Sequence, residues 1–418
     1  MLRLREGRAE GGGTGVRIDE PKALLPADQG GRATFLELFF DLVYVFALTR
    51  IGTRAFEDLA LEKGYASAWQ AFTGGGKTLL LLLALWALWQ GTAWTTSRYD
   101  PHHIWLQTIV ITALVCSMVM GIAIPRAFSK TGLAFAIAYV VAQVVRPAIL
   151  LLALRRKQYR QLKQRMLITF CVTGVFWIAG AFVSTNPRVV LWSIALLLEY
   201  LGQRFGWPVP FLGRSTVSRW DIHGEHLSER YQQIFLVALG ETILVAGVSY
   251  SRDPFSLTHT GAFAAALVTS ILLWRIYVQR AGQILAEAVT HARHPAAVGR
   301  SAADTHLVMI VGVVATAIGY ELVSEHPTGH NEASWITMVL GGPAVFLAGR
   351  ARFEYEVFGR VSPSRWVAIL VLLALLPLLV HHAPLYAAAA AALVLLAVAV
   401  ADARRAWGRP PEKAAPPF

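Results

Sequence analysis

Cysteine is almost missing from this chain: Cys116 and Cys171 are the only two in 418 residues. Both lie in apolar runs without a Cys-x-x-Cys partner, which excludes a disulfide framework and a thiolate metal centre. Charge is scarce as well. Asp, Glu, Lys and Arg make up 15% of the chain against 55% hydrophobic residues, which excludes a soluble domain of ordinary make-up. No signal peptide opens the sequence, because residues 1–31 are polar, glycine-rich and without an apolar segment. There is no HExxH motif, the histidines at the expected cytoplasmic ends form no compact HxxxH motif, and no local serine–histidine–acid signature is present. The expectation is therefore a protein that is not an enzyme and carries no cofactor or metal. The run Gly74-Gly75-Gly76-Lys77-Thr78 resembles the end of a phosphate-binding loop, but Ala71 stands where the loop's first glycine belongs.

What the chain has in abundance is long apolar runs, the mark of an all-α polytopic membrane protein. Twelve spans are expected, at about 34–52, 78–97, 104–124, 133–154, 166–185, 188–203, 229–250, 259–279, 305–324, 334–349, 366–382 and 385–402. Trp86, Trp89, Trp94, Trp105 and Trp274 fall near their ends, where interfacial indoles belong. With the N-terminus in the cytoplasm, the large majority of the 38 Lys and Arg fall in the tails and cytoplasmic loops, as the positive-inside rule requires. The formal charge of +12 then reports topology and contact with anionic lipid, not nucleic acid. The expected organisation is a cytoplasmic tail (1–32), a six-helix repeat (33–204), a cytoplasmic linker (205–227), a second six-helix repeat (228–403) and a cytoplasmic tail (404–418). The protein is placed in the bacterial inner membrane, multi-pass, with both termini inside.

The stretch Thr34–Arg50 organises the rest. Glu37 and Asp41 are one turn apart on a single helical face, with Tyr44 on the same arc. A carboxylate at hydrocarbon depth costs about 2.5–3.5 kcal/mol on insertion scales, so such groups turn toward other helices, water or a partner. One reading makes them caps of the helix start, solvated at the headgroups; the other makes them a functional polar face. The pattern returns at Glu229–Ile243. There Glu229 overlays Glu37, Gln233 overlays Asp41, Gly240 overlays Leu48 and Glu241 overlays Thr49. Six spans per copy bring the chain back to the same side, so the two repeats would be parallel. Glu241 lies twelve residues beyond Glu229, about 18 Å along a helix, too deep to reach water from the cytoplasmic side. It must be protonated, paired with an arginine such as Arg50, Arg146 or Arg275, or exposed to an aqueous path. Gly240 beside it would admit a neighbouring helix.

Histidines gather at the expected cytoplasmic ends, His102, His103, His223, His226, His291, His294 and His306, together with Asp221, Glu225 and Glu229. They are either solvated interfacial residues or a proton-sensing cluster, for which His103, His226 and His306 are the candidates.

The residues Glu37 to Phe46 (ELFFDLVYVF), His226-Leu-Ser-Glu229-Arg230-Tyr231 and Ala238-Leu239-Gly240-Glu241 resemble the bacterial low temperature requirement protein A family. Looser agreement follows at Trp274–Tyr277, His306 and Gly312. The resemblance implies a polytopic membrane protein of unsettled biochemical activity, named for growth in the cold. More distantly, Arg32 with Phe39-Phe40-Asp41 is similar in layout to the Arg…Phe-Ser-Asp motif of two-repeat lysosomal potassium/proton channels. That likeness implies a homodimer with the first helices at its pore. The function expected is a channel or transporter coupled to a small cation or proton. Glu37, Asp41, Glu229, Gln233 and Glu241 would line its pathway, and Arg50, Arg230 and Arg275 would act as counter-ions. Two other readings stay open: a membrane-embedded stress sensor or accessory protein without transport, and a membrane enzyme acting on lipid.

Overall fold

A computed structural model describes residues 32–60, 68–154, 157–215, 224–252, 255–279, 283–329, 332–408, 410 and 412–417. The expected N-terminal tail (all but Arg32), Asp221 and His223 lie outside the described residues, which contain thirteen α-helices and no strand. In chain order these are α1 (Phe35–Ala60), α2 (Ala68–Thr96), α3 (Ile104–Ala123), α4 (Gly132–Ala153), α5 (Lys157–Ala181) and α6 (Thr185–Phe205). They continue with α7 (Gly224–Arg252), α8 (Leu257–Tyr277), α9 (Gln283–His291), α10 (Pro295–Glu325), α11 (Ala333–Phe358), α12 (Pro363–Leu379) and α13 (Pro384–Ala406). Eight of them, α2–α5, α7, α8, α10 and α13, are long and apolar enough to cross a membrane. The more polar α1, α6 and α11 and the shorter α12 fall outside that set.

Each expected span falls on a helix, but several helices are longer. α10 begins at Pro295 and α7 at Gly224, because hydropathy registers only the apolar part of a helix and these open with polar turns. The short amphipathic α9 lies where the sequence suggested a loop. The glycine-lysine run 74–77 is a plain part of α2. Helix ends follow local chemistry. Thr34 and Glu37 form a reciprocal capping box on α1, Glu37 N–H donating to Thr34 Oγ1 at 3.4 Å and Thr34 N–H to Glu37 Oε2 at 2.9 Å. Pro295, Pro363 and Pro384 open α10, α12 and α13 where no backbone donor is needed. Gly206 and Gly359, at φ of 76° and 67°, close α6 and α11 in the left-handed conformation.

Most neighbours in sequence pack on one another, the exceptions being α6 with α7 and α8 with α9. α1 also packs on α3, and α7 on α10; α1 meets α7 and α10 across the middle of the chain. The tightest seam is α10 on α11, where Gly312, Gly319 and Gly342 bring backbone against backbone. Gly240 does not play that part, since nothing lies within 4 Å of where its Cβ would be. Trp86 and Trp89 are not interfacial: both are buried and stacked at 5.0 Å inside the bundle, while Trp274 faces outward. The outer surface is covered with exposed Leu, Ile, Val and Phe, the complement of a lipid environment.

Candidate functional site

Four ionisable side chains meet where α1 crosses α7, and all four are almost wholly inaccessible: Glu37 at 1%, Asp41 at 2%, His226 at 2% and Arg230 at 0% exposure. Asp41 is the best held. Its Oδ1 accepts from Arg230 Nη2 and from the indole N–H of Trp89 of α2, each at 2.8 Å, while Oδ2 lies 2.8 Å from Arg230 Nη1 as an ion-pair contact without a hydrogen bond. Charge-assisted hydrogen bonds of this kind are among the strong ones. Glu37 receives the Thr34 hydroxyl at 2.9 Å on Oε2, with His226 Nε2 at 3.2 Å, while Oε1 lies 3.7 Å from Arg230 Nε. On its other side, His226 Nδ1 is 2.8 Å from Ser97 Oγ at the end of α2. Glu37 is thus the cap of its helix and a member of a buried ion cluster, but at 1% exposure it is not solvated at the headgroups as the capping reading expected.

The seam runs further. Glu229 accepts the Ala33 N–H at 2.7 Å, and Arg230 donates to Gln233 Oε1 at 3.0 Å. Eleven residues beyond Arg230, Glu241 accepts the Thr49 hydroxyl at 2.5 Å through Oε2 and leaves Oε1 buried without a hydrogen bond. Contacts of Ala33, Asp41 and Thr49 with Glu229, Arg230 and Glu241 climb both helices in the same direction. α1 and α7 therefore run parallel, with their polar faces opposed. Every pathway candidate of the sequence analysis lies on this seam.

The counter-ions divide. Arg230 holds Asp41. Arg275 is exposed on α8 and Arg50 is half-buried, and neither forms an ion pair among the described residues. Arg146 is turned into a separate group on α4, bonded to Gln143. Glu241 therefore pairs with none of the three arginines proposed for it, because side-chain direction around α4 and α8 takes Arg146 and Arg275 elsewhere. The histidines do not form one cluster either. His103 caps α3 by accepting the Trp105 N–H at 3.4 Å. His306 is enclosed by aromatic rings, stacked on Tyr231 at 4.5 Å and bonded to Tyr277 Oη at 3.0 Å and to the Ala302 carbonyl at 2.6 Å. Only His226 meets a carboxylate of the α1–α7 seam.

Sequence reasoning missed Trp89 and Ser97 as parts of the site, since an indole near a span end looks interfacial. It also missed three buried polar groups. Glu199 of α6 is bonded by Tyr139 and by Trp177. Arg365 spans Asp402 at 2.5 Å and Glu354 at 3.7 Å. Glu356 accepts the hydroxyls of Ser301 and Thr305. Glu199 had a signal, being a lone carboxylate interrupting an apolar run; the others lie at helix ends and look solvated in one dimension.

The family described as Bacterial low temperature requirement A protein (LtrA) matches this chain over residues 32–400. The uncharacterized protein RA0937 of Rhizobium meliloti (strain 1021) is 33% identical over 377 residues, covering 88% of each chain. No solved structure matches.

Proposed function

The chain belongs to the bacterial low temperature requirement A family of membrane proteins, and on that premise we propose that it moves protons, alone or with a small cation, across the bilayer. The observation that carries the reading is the charge inventory of the α1–α7 seam. Two carboxylates, Glu37 and Asp41, face one guanidinium and one imidazole, all buried. With His226 neutral the group carries one uncompensated negative charge; with His226 or Glu37 protonated it is neutral. An uncompensated buried charge costs several kcal/mol after relaxation, so the arrangement favours uptake of a single proton. Losing that proton favours opening of the seam to water. A second acid, Glu241, sits deeper along the same parallel pair with one oxygen free. The seam therefore offers two protonatable positions at different depths.

Two parallel six-helix repeats, twelve spans in all with the N-terminus cytoplasmic, are the architecture proposed for this transport. Its support is that first-on-second, first-on-third and third-on-fourth helix packing occurs in both halves (α1 on α2 and α3, α3 on α4; α7 on α8 and α10, α10 on α11). The residues that overlay in sequence also meet in space: Thr49 and Glu241, which align with each other, are hydrogen-bonded partners. Such self-contact is what a pseudo-two-fold axis between α1 and α7 produces. The deciding experiment is flux into liposomes carrying the purified protein, with an interior pH dye and separate potassium, sodium and proton gradients. Proton entry above protein-free liposomes that disappears with Glu37→Gln supports the proposal; no flux under any gradient defeats it.

A further inference from the structure

On the far side of α2 from the ion cluster is a cavity of about 80 Å³. Three cations line it: Arg98 at the end of α2, Arg146 of α4 and Lys163 of α5. They are 8%, 5% and 6% exposed, and none forms an ion pair among the described residues. Among the described residues the Arg146 guanidinium bonds only Gln143, through Nη2 at 2.8 Å. Among the same residues the side chains of Arg98 and Lys163 make no hydrogen bond and rest on the rings of Tyr99 and Tyr159, and the Nε atoms of Arg98 and Arg146 are buried without a hydrogen-bond partner. One carboxylate lines the cavity, Glu199, and it is already bonded by Tyr139 and Trp177.

We propose that this cavity is a binding site for a phosphate-bearing anion. Buried charges are normally paired, and three mutually repelling cations that share one acid, Glu199, itself already bonded by Tyr139 and Trp177, are held at a cost that a bound anion would offset. A phosphate suits them better than a carboxylate, because it can receive the two guanidinium forks and the ammonium at once. Gly91 is part of the construction. A Cβ there would stand 1.7 Å from Arg146 Nη1, so only glycine lets the guanidinium lie across α2. The rest of the wall, with Trp94, Phe170, Trp207, Leu162 and Met166, accommodates an apolar body attached to the phosphate. The group arises either as a phospholipid headgroup entering between helices or as a soluble phosphate.

The test uses the full chain in micelles of dodecyl maltoside, a detergent without phosphate, followed by thermal melting. Inorganic phosphate replaces chloride at constant ionic strength in one arm, and phosphatidylglycerol is added to the micelles in the other. A rise in melting temperature in the first arm identifies a soluble phosphate, in the second a lipid headgroup, and in both the phosphate group itself. Lys163→Met and Arg98→Gln are each expected to melt higher than wild type in the phosphate-free micelles alone, because a repulsion is removed. Each should bind phosphate or phosphatidylglycerol at least tenfold more weakly. Arg352→Gln, which removes an exposed cation of α11, should behave as wild type. Native mass spectrometry of the wild type gives a readout independent of any variant, with one anion retained per chain. Absence of stabilisation and of a retained anion in both arms would overturn the proposal. So would wild-type affinity in Lys163→Met and Arg98→Gln.

Discussion

Arg230 of α7 contacts both carboxylate oxygens of Asp41 of α1 at 2.8 Å each, across 189 residues of intervening chain. The contact is wholly buried and is completed by the indole of Trp89. α1 and α7 are thus tied by a buried ion pair rather than by apolar packing alone. Removing one partner strands the other's charge in a dry place. Asp41→Asn is expected to cost about 3–5 kcal/mol, the range for breaking a buried pair. The double variant Asp41→Asn with Arg230→Met should lose markedly less than the sum of the single losses. Unfolding in mild detergent, followed by circular dichroism through the double-mutant cycle, measures this, and additive losses would contradict it.

Glu241 gives the sharpest separation of roles. Glutamine at this position keeps the hydrogen bond from Thr49 and fills the same space, but it cannot carry a proton. Glu241→Gln is expected to fold and insert with wild-type melting behaviour and to lose proton flux in liposomes. Undiminished flux would make Glu241 a structural acid only.

His226 bridges Ser97 and Glu37. A glutamine can span part of that distance without titrating. The proton flux of wild type is expected to vary with pH. In His226→Gln the profile should flatten, with flux retained at one end of the pH range. The same exchange at His103, which caps α3 and meets no carboxylate there, should leave the profile unchanged. Identical profiles in wild type and His226→Gln would remove His226 from the mechanism.

The seam of α10 and α11 makes a purely structural prediction. A Cβ at Gly312 would lie 2.4 Å from the Phe346 nitrogen and 2.8 Å from the Gly342 carbonyl oxygen. Both are backbone atoms that cannot swing away. Gly312→Ala is therefore expected to destabilise by about 1–3 kcal/mol, the usual cost of overpacking. Gly240→Ala, with nothing within 4 Å of its new methyl, should stay within about 0.5 kcal/mol of wild type. Thermal melting of the two variants side by side checks the contrast.

The helical membrane class, the position of every long helix and the acidic face of α1 were legible in the sequence. These depend on local composition and on a period of 3.6 residues, both of which survive in one dimension. Glu37, Asp41, Glu229, Gln233 and Glu241 could be picked out because a carboxylate or amide is conspicuous against apolar neighbours. The sequence by itself also aligned Thr49 with Glu241, although nothing in it said that the two would touch. Tertiary structure alone decided the partners. Arg230 rather than Arg50 or Arg275 became the counter-ion because, of the three, only its side chain reaches Asp41. Trp89 became a ligand of Asp41 instead of an interfacial anchor because α2 packs beside α1. Arg98, Arg146 and Lys163, dispersed along three helices, became one basic cavity. Which polar groups meet is set by the rotation of each helix about its axis and by the choice of neighbour. Those follow from the packing of the whole bundle, and no single stretch of sequence encodes them.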